Sequence, residues 1–195
     1  KIFKDMVDSL PDSAPVLVVF DYQPGYAGEM ESAASPVIDH LINKNALLSF
    51  ISSSPTGVLM GERMMAIQNQ RRMETGQNPY EIGIQYVDLG YLPGGAAGIQ
   101  VFANNPWATL GRDAVLGDLW ALPALQGVTI DGITRLSNFA TVIVLTDNPD
   151  TGRVWVEQAG PALADKPLMM VISAQAEPMT RPYYKSGQLR GMVTG

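Results

Sequence analysis

Uninterrupted apolar runs of strand length alternate along this chain with stretches in which apolar residues recur at helical spacing. The clearest run is Val16-Leu17-Val18-Val19-Phe20, which fits a central parallel strand covered on both faces. Ala46–Ile51, Ile84–Leu89, Thr141–Thr146 and Leu168–Ser173 are the further predicted strands. Ahead of the first, Ile2, Phe3, Met6, Val7 and Leu10 share a helical face that Pro11 ends. Longer helices are predicted over 28–44, 58–73 and 151–164, with Pro36 either in a first turn behind Ser35 or at a kink. Shorter ones are predicted over 96–103 and 131–138. The stretch 104–127 holds Trp107, Trp120, Pro106 and Pro123 without periodicity. It is expected to be an irregular excursion with one short helix near 114–122. The tail from Glu177 is expected to be a loop leading into a last helix.

Strands joined through helices imply right-handed crossovers and helices on both sides of a sheet. The expected fold is therefore three-layer α/β, with a mostly parallel five-stranded sheet, flavodoxin-like or Rossmann-like, in strand order 2-1-3-4-5. The 195 residues, 46% of them apolar, suit one domain over 1–195. Beginning at Lys1 without a Met and stopping at Gly195, the chain is expected to be excised from a longer one.

Composition narrows the chemistry. A net charge of -6, with thirteen scattered Lys and Arg, argues against a nucleic-acid surface. The absence of cysteine excludes disulfides, thiolate metal sites and a Cys nucleophile. A single histidine, His40, excludes a multi-His metal site within one chain. His40 sits toward the end of its helix, where it suits the dipole better than catalysis. There is no G-x-S-x-G elbow. The methionines of 60–65 and 169–170 fall at core positions. No apolar run approaches the roughly 20 residues needed to span a bilayer.

In a parallel α/β sheet, ligands bind beyond the carboxyl ends of the strands. Those ends carry Asp21 and Tyr22, then Ser52 to Thr56, Gly90 to Gly95, Asp147 with Asn148 and Asp150, and Gln175 with Glu177. Gly90, Gly94, Gly95 and Gly98 follow a strand and precede a helix, so their amides could approach an anion. Their spacing is neither G-x-G-x-x-G nor a P-loop, and a tight strand-to-helix turn that needs positive φ and close packing is the favoured explanation of them. Ser53, Ser54 and Thr56 could hold an anion or simply cap the next helix. Asp21 with Asp147 could bind Mg²⁺ through carboxylates and water, although Asp147-Asn148-Pro149-Asp150 also has the composition of a turn and helix cap. Tyr183-Tyr184 could line a pocket or close the sheet edge.

At Asp21-Tyr22-Gln23-Pro24, Ser54-Pro55-Thr56-Gly57, Leu89-Gly90-Tyr91-Leu92-Pro93-Gly94-Gly95 and Tyr183-Tyr184-Lys185-Ser186-Gly187-Gln188-Leu189-Arg190-Gly191, the chain resembles a family of uncharacterised prokaryotic proteins. In that family a soluble α/β domain is held between membrane-spanning helices. The resemblance implies a membrane-anchored parent and supplies no reaction or cofactor. The lack of cysteine is compatible with an extracytoplasmic domain. The expectation is thus a non-catalytic domain that binds a small molecule or protein partner at the carboxyl edge. Its expected ligand-binding residues are Asp21, Tyr22, Ser53, Ser54, Thr56, Gly90, Gly94, Gly95 and Asp147. The competing expectations are a Mg²⁺-assisted hydrolase or transferase using Asp21 and Asp147, and an assembly module.

Overall fold

A computed structural model describes residues 1–195. Its main sheet has six strands, β1 (Pro15–Asp21), β2 (Leu47–Ser52), β3 (Tyr86–Tyr91), β4 (Thr141–Thr146), β5 (Leu168–Ile172) and β6 (Gly191–Thr194). Every pairing in it is parallel, and the order is β6-β5-β4-β1-β2-β3. The α/β class with a parallel sheet and flanking helices is as the sequence pattern predicts. The count of five and the order 2-1-3-4-5 are not.

Both differences have a physical reason. β4 pairs with β1 over Val16–Asp21, and all of its residues are buried, as a central strand requires. β3 alternates, with Val87 and Leu89 buried while Tyr86, Asp88 and Gly90 are partly exposed, and this suits it to the edge. The sixth strand offers only Met192 and Val193 as apolar residues, too few to stand out as a run. It gains its place by continuing the ladder from Gly191 beside Met169 to Thr194 beside Ile172.

Helices α1 (Ile2–Asp8), α2 (Ala27–Asn43) and α3 (Gly57–Glu74) cover one face, where Phe3, Met30, Ile38, Leu41 and Met64 pack on Val16, Val18 and Phe20. Helices α4 (Gly95–Asn104) and α6 (Pro149–Ala159) cover the other. There Phe102 and Trp155, with Trp120 and Phe139 from the segment between α4 and β4, pack on Leu17, Val19, Val142 and Val144. The strict alternation of each strand thus feeds two separate cores. α5 (Pro106–Thr109) is a single turn, and α7 (Glu177–Lys185) precedes β6. Pro36 lies inside α2 rather than in its first turn.

The two short helices expected near 114–122 and over 131–138 are reduced to single 3-10 turns, Leu119–Ala121 and Leu136–Asn138. Each follows a small antiparallel hairpin, Arg112–Asp113 with Gly117–Asp118 and Thr129–Ile130 with Ile133–Thr134. Asp131 (φ 53°) and Gly132 (φ 76°) form the second turn, and Asp-Gly is the pair such a turn selects. The helix expected to run to Ala164 ends at Ala159 and continues as a 3-10 turn over Gly160–Leu163. No helix is long and apolar enough to cross a membrane.

Candidate functional site

Because all six strands run the same way, their carboxyl ends share one edge. The order reverses between β1 and β4, which makes that junction the topological switch point. Alternation along β1 turns Leu17, Val19 and Asp21 toward the face covered by α6. Asp21 consequently meets Trp155 of α6, and it also meets the loop that leaves β2.

Four hydrogen bonds converge on this buried carboxyl. Oδ1 accepts from the Ser53 amide at 2.7 Å and, at 3.0 Å, shares the Ser52 hydroxyl proton with the Ser54 carbonyl, which lies 2.7 Å from that hydroxyl. Oδ2 accepts from the Ser53 hydroxyl and from Trp155 Nε1, both at 2.6 Å. No Lys, Arg or His pairs with it. Burial raises its pKa, and the bonds from Ser53, Trp155 and Ser52 pull it back. The first half of the serine-rich loop therefore cradles a carboxyl group that the protein itself supplies. Gly57 lets α3 approach closely enough for this: a Cβ there would stand 1.9 Å from the Phe20 carbonyl oxygen and 2.0 Å from Ser52 Oγ.

The other expected residues divide into two groups. Tyr22 has no exposed surface, packs with Phe20 in the core of the opposite face, and its hydroxyl has no partner. Burial, with Glu31 nearby, raises its pKa. Tyr22 is thus a core residue and does not reach the edge surface. Asp147 Oδ1 accepts from the Gln23 amide at 3.0 Å, tying the end of β4 to the loop after β1. Asn148 caps α6 through the amides of Asp150 and Thr151, as its composition suggested. The junction is further bridged by Glu29, which accepts from the Ala174 amide at 2.7 Å, and by Gln175, which donates to the Tyr26 hydroxyl at 2.6 Å. Asp21 and Asp147 are brought to neighbouring strand ends, but each carboxylate serves a separate set of donors.

The edge is open on its β2–β3 side. The Ser54 and Thr56 hydroxyls lie 3.1 Å apart at the start of α3. Thr56 makes no side-chain cap there. Across from them the Leu92 amide donates to the Ser52 carbonyl at 2.7 Å, which holds the loop after β3 beside the loop after β2. That loop ends in exposed Gly94 and Gly95 with φ of 96° and 55°, and α4 begins there, again without a side-chain cap. No loop carbonyl takes up the amides of Val58 and Leu59 in α3 or of Ala96 and Ala97 in α4. The glycines are needed for the turn as well. Gly94 occupies a left-handed conformation, and a Cβ on Gly98 would fall 1.8 Å from the Pro93 carbonyl oxygen.

Gly90 (φ 95°) follows a bulge in β3, where Phe50 pairs with Asp88 but Ile51 pairs with Gly90. Its amide donates to Asp88 Oδ1 at 2.8 Å, while Asp88 Oδ2 is buried without a partner. Burial pushes the Asp88 pKa up to about 6 against that bond, with a further push from Glu62. Ser52 belongs to the expected strand-end loop, whereas Asp88 and Trp155 are not among the expected site residues. For Asp88 the sequence does carry a signal, a carboxylate between Val87 and Leu89 in a strand. Trp155 carries none, because its meeting with Asp21 depends on which face α6 covers.

No family model matches the chain. No curated protein and no solved structure matches it either.

Proposed function

We propose that this is a non-catalytic binding domain that takes a small anionic ligand on the β2–β3 side of its carboxyl edge. The observation that carries the reading is the pairing of two uncapped helix starts, α3 and α4, held side by side by the Leu92–Ser52 bond. Free first-turn amides and the aligned peptide dipoles favour negative charge at such points. The Ser54 and Thr56 hydroxyls add donors, and Gly94 and Gly95 let a ligand approach the backbone. Asp21 is a positioning residue in this scheme, since it fixes Ser53 and hence the course of the loop. A Mg²⁺-assisted hydrolase or transferase has no such observation behind it: both Asp21 oxygens are already engaged by donors from Ser52, Ser53 and Trp155.

Thermal unfolding at matched ionic strength, with phosphate, sulfate and small dicarboxylates against chloride, tests the reading. A ligand at one hundred times its Kd stabilises by roughly 2.7 kcal/mol. For a chain of this size that raises Tm by roughly 5–10 °C. Thr56→Ala and Gly95→Val should each abolish the shift. If no anion moves the wild-type Tm beyond the chloride control, or if both variants keep the full shift, the proposal fails.

A further inference from the structure

The excursion between α4 and β4 carries a second concave surface. Its location is set by α4, whose ten residues carry the chain about 15 Å away from the carboxyl edge at 1.5 Å per residue. Asn105 then caps α5 by accepting from the Ala108 amide at 3.3 Å. The first turn of α5 sets Trp107 between the two small hairpins. In the first hairpin Asp113 accepts from the amides of Val115 and Leu116, both at 2.7 Å. In the second the Thr129 and Thr134 hydroxyls bond at 2.7 Å. Both hairpins are therefore closed by their own side chains and form fixed walls.

Two adjoining cavities of about 450 and 320 Å³ share Trp107, Gly132 and Thr134. Each has the size of an ordinary small-molecule site. The Arg112 guanidinium lies 4.0 Å from the Trp107 ring centroid and covers one side of it. Trp107 is 43% exposed overall and lines both cavities. Its Nε1 donates to Asp118 Oδ2 at 3.3 Å, and Asp118 Oδ1 accepts from the Trp120 amide at 3.1 Å. Asp118 has no cationic partner, so one lone pair on each oxygen is unused. Gln126, an exposed residue, lines the larger cavity.

These groups select among ligand classes. A cation on Trp107 would have to share the ring with the Arg112 charge. An anion would meet Asp118 and a net charge of -6. A proline-rich peptide offers carbonyl acceptors and few N–H donors, so it would bury the Asp118 carboxylate with its acceptors unanswered. A neutral pyranose has an apolar C–H face for the indole and hydroxyls that donate to Asp118 and accept from Gln126. We propose that this groove binds a neutral oligosaccharide, with Trp107 as the stacking platform and Asp118 and Gln126 as hydroxyl-reading groups.

The three tryptophans make the test direct. Trp120 and Trp155 are 4% and 0% exposed, so collisional quenching by acrylamide reports on Trp107. The intact chain is titrated with neutral tetrasaccharides of glucose, mannose, galactose and N-acetylglucosamine. A sulfated tetrasaccharide and a proline-rich peptide run in parallel. The expected result is saturable protection by at least one neutral sugar and by neither control. Calorimetry on variants with unchanged far-UV circular dichroism should show binding lost in Trp107→Ala, partly kept in Trp107→Tyr, and weakened at least about tenfold in Asp118→Asn, a loss of about 1.4 kcal/mol. No protection by any neutral sugar, preferential binding of the peptide or the sulfated sugar, or undiminished sugar binding by Trp107→Ala would overturn the proposal.

Discussion

Replacing Trp155 with Phe isolates the bond on which the β1 end depends. The six-membered ring stays in the core around Val19 and Val144, while the Nε1–H that reaches Asp21 Oδ2 at 2.6 Å is removed. A hydrogen bond to a charged group contributes about 1.5–3 kcal/mol. The missing pyrrole edge leaves a small void worth about 1 kcal/mol. The expected cost is thus about 2.5–4 kcal/mol, a sizeable share of the roughly 5–15 kcal/mol that stabilises a domain. It should be read by urea unfolding followed by far-UV circular dichroism, because the substitution removes a fluorophore. The cost also depends on pH. Burial raises the folded pKa of Asp21, so the stability that its protonated form contributes is present below the unfolded value and is lost as pH rises through the folded one. Trp155 favours the ionised form, and its loss should therefore hurt more on the alkaline side of the Asp21 transition. A double-mutant cycle separates this from packing. In Asp21→Asn one amide N–H must face either the Ser53 amide or Trp155 Nε1, both of which are donors. Adding Trp155→Phe should relieve that conflict, giving a coupling of at least about 1.5 kcal/mol. A cost below about 1 kcal/mol for Trp155→Phe, together with no coupling, would refute the view that Trp155 and the serine loop jointly hold Asp21.

Tyr22→Phe should stabilise the fold by up to about 1–2 kcal/mol, since the hydroxyl it removes is buried and unpartnered; a loss of stability in urea would show that the hydroxyl has a partner in solution. Gly57→Ala and Gly98→Ala should each cost more than about 2 kcal/mol, because their new methyl groups would stand 1.9 Å and 1.8 Å from carbonyl oxygens. Gly95→Ala meets nothing within 4 Å and should lose only about 1 kcal/mol to its positive φ, so comparable melting temperatures for all three variants would contradict the close approaches. For Asp88, with a folded pKa of about 6 against 3.8 unfolded, the stability contributed by the protonated form is present below about pH 4 and lost as pH rises through 6. Asp88→Asn should match the wild type near pH 4 and exceed it at pH 7.5 by on the order of 1 kcal/mol, discounted for the carboxyl's partial exposure. Parallel stability–pH curves for the two proteins would rule this out.

Most of the fold could be read from apolar runs because five of its strands are buried or half-buried segments of ordinary length. Strand order could not, yet a clue to it was present. Tyr86-Val87-Asp88-Leu89 alternates polar with apolar, whereas Thr141–Thr146 is apolar between its terminal threonines. The first suits an edge and the second a centre, which already favours β4 over β3 as the neighbour of β1. The hairpins of the excursion were hidden for a different reason. Their ladders span two residues each and are held by side chains such as Asp113 and by the Asp131-Gly132 turn, so they leave no periodicity to detect.

The site was legible as a place and illegible as a circuit of bonds. Fold logic brings Asp21, the serine loop, the glycine turn and Asp147 to one edge, and the structure does gather them there. What no spacing rule reports is that Asp21 and the serines answer one another. A carboxylate at the end of a strand and a hydroxyl-rich loop at the end of the next look like two halves of a ligand site. Once parallel pairing sets them side by side, they form a closed unit, with Ser53 giving both its amide and its hydroxyl to Asp21. The capacity left for a ligand lies one step further along the chain. The Ser54 and Thr56 hydroxyls bond to each other and not to Asp21, and the amides of Val58 and Leu59 in α3 and of Ala96 and Ala97 in α4 have no protein acceptor. In this arrangement the buried carboxyl of Asp21 sets the geometry of the edge while contributing none of its donors, so substitutions at Asp21 should act on stability first and on anion affinity only through the loop, whereas Thr56→Ala should do the reverse.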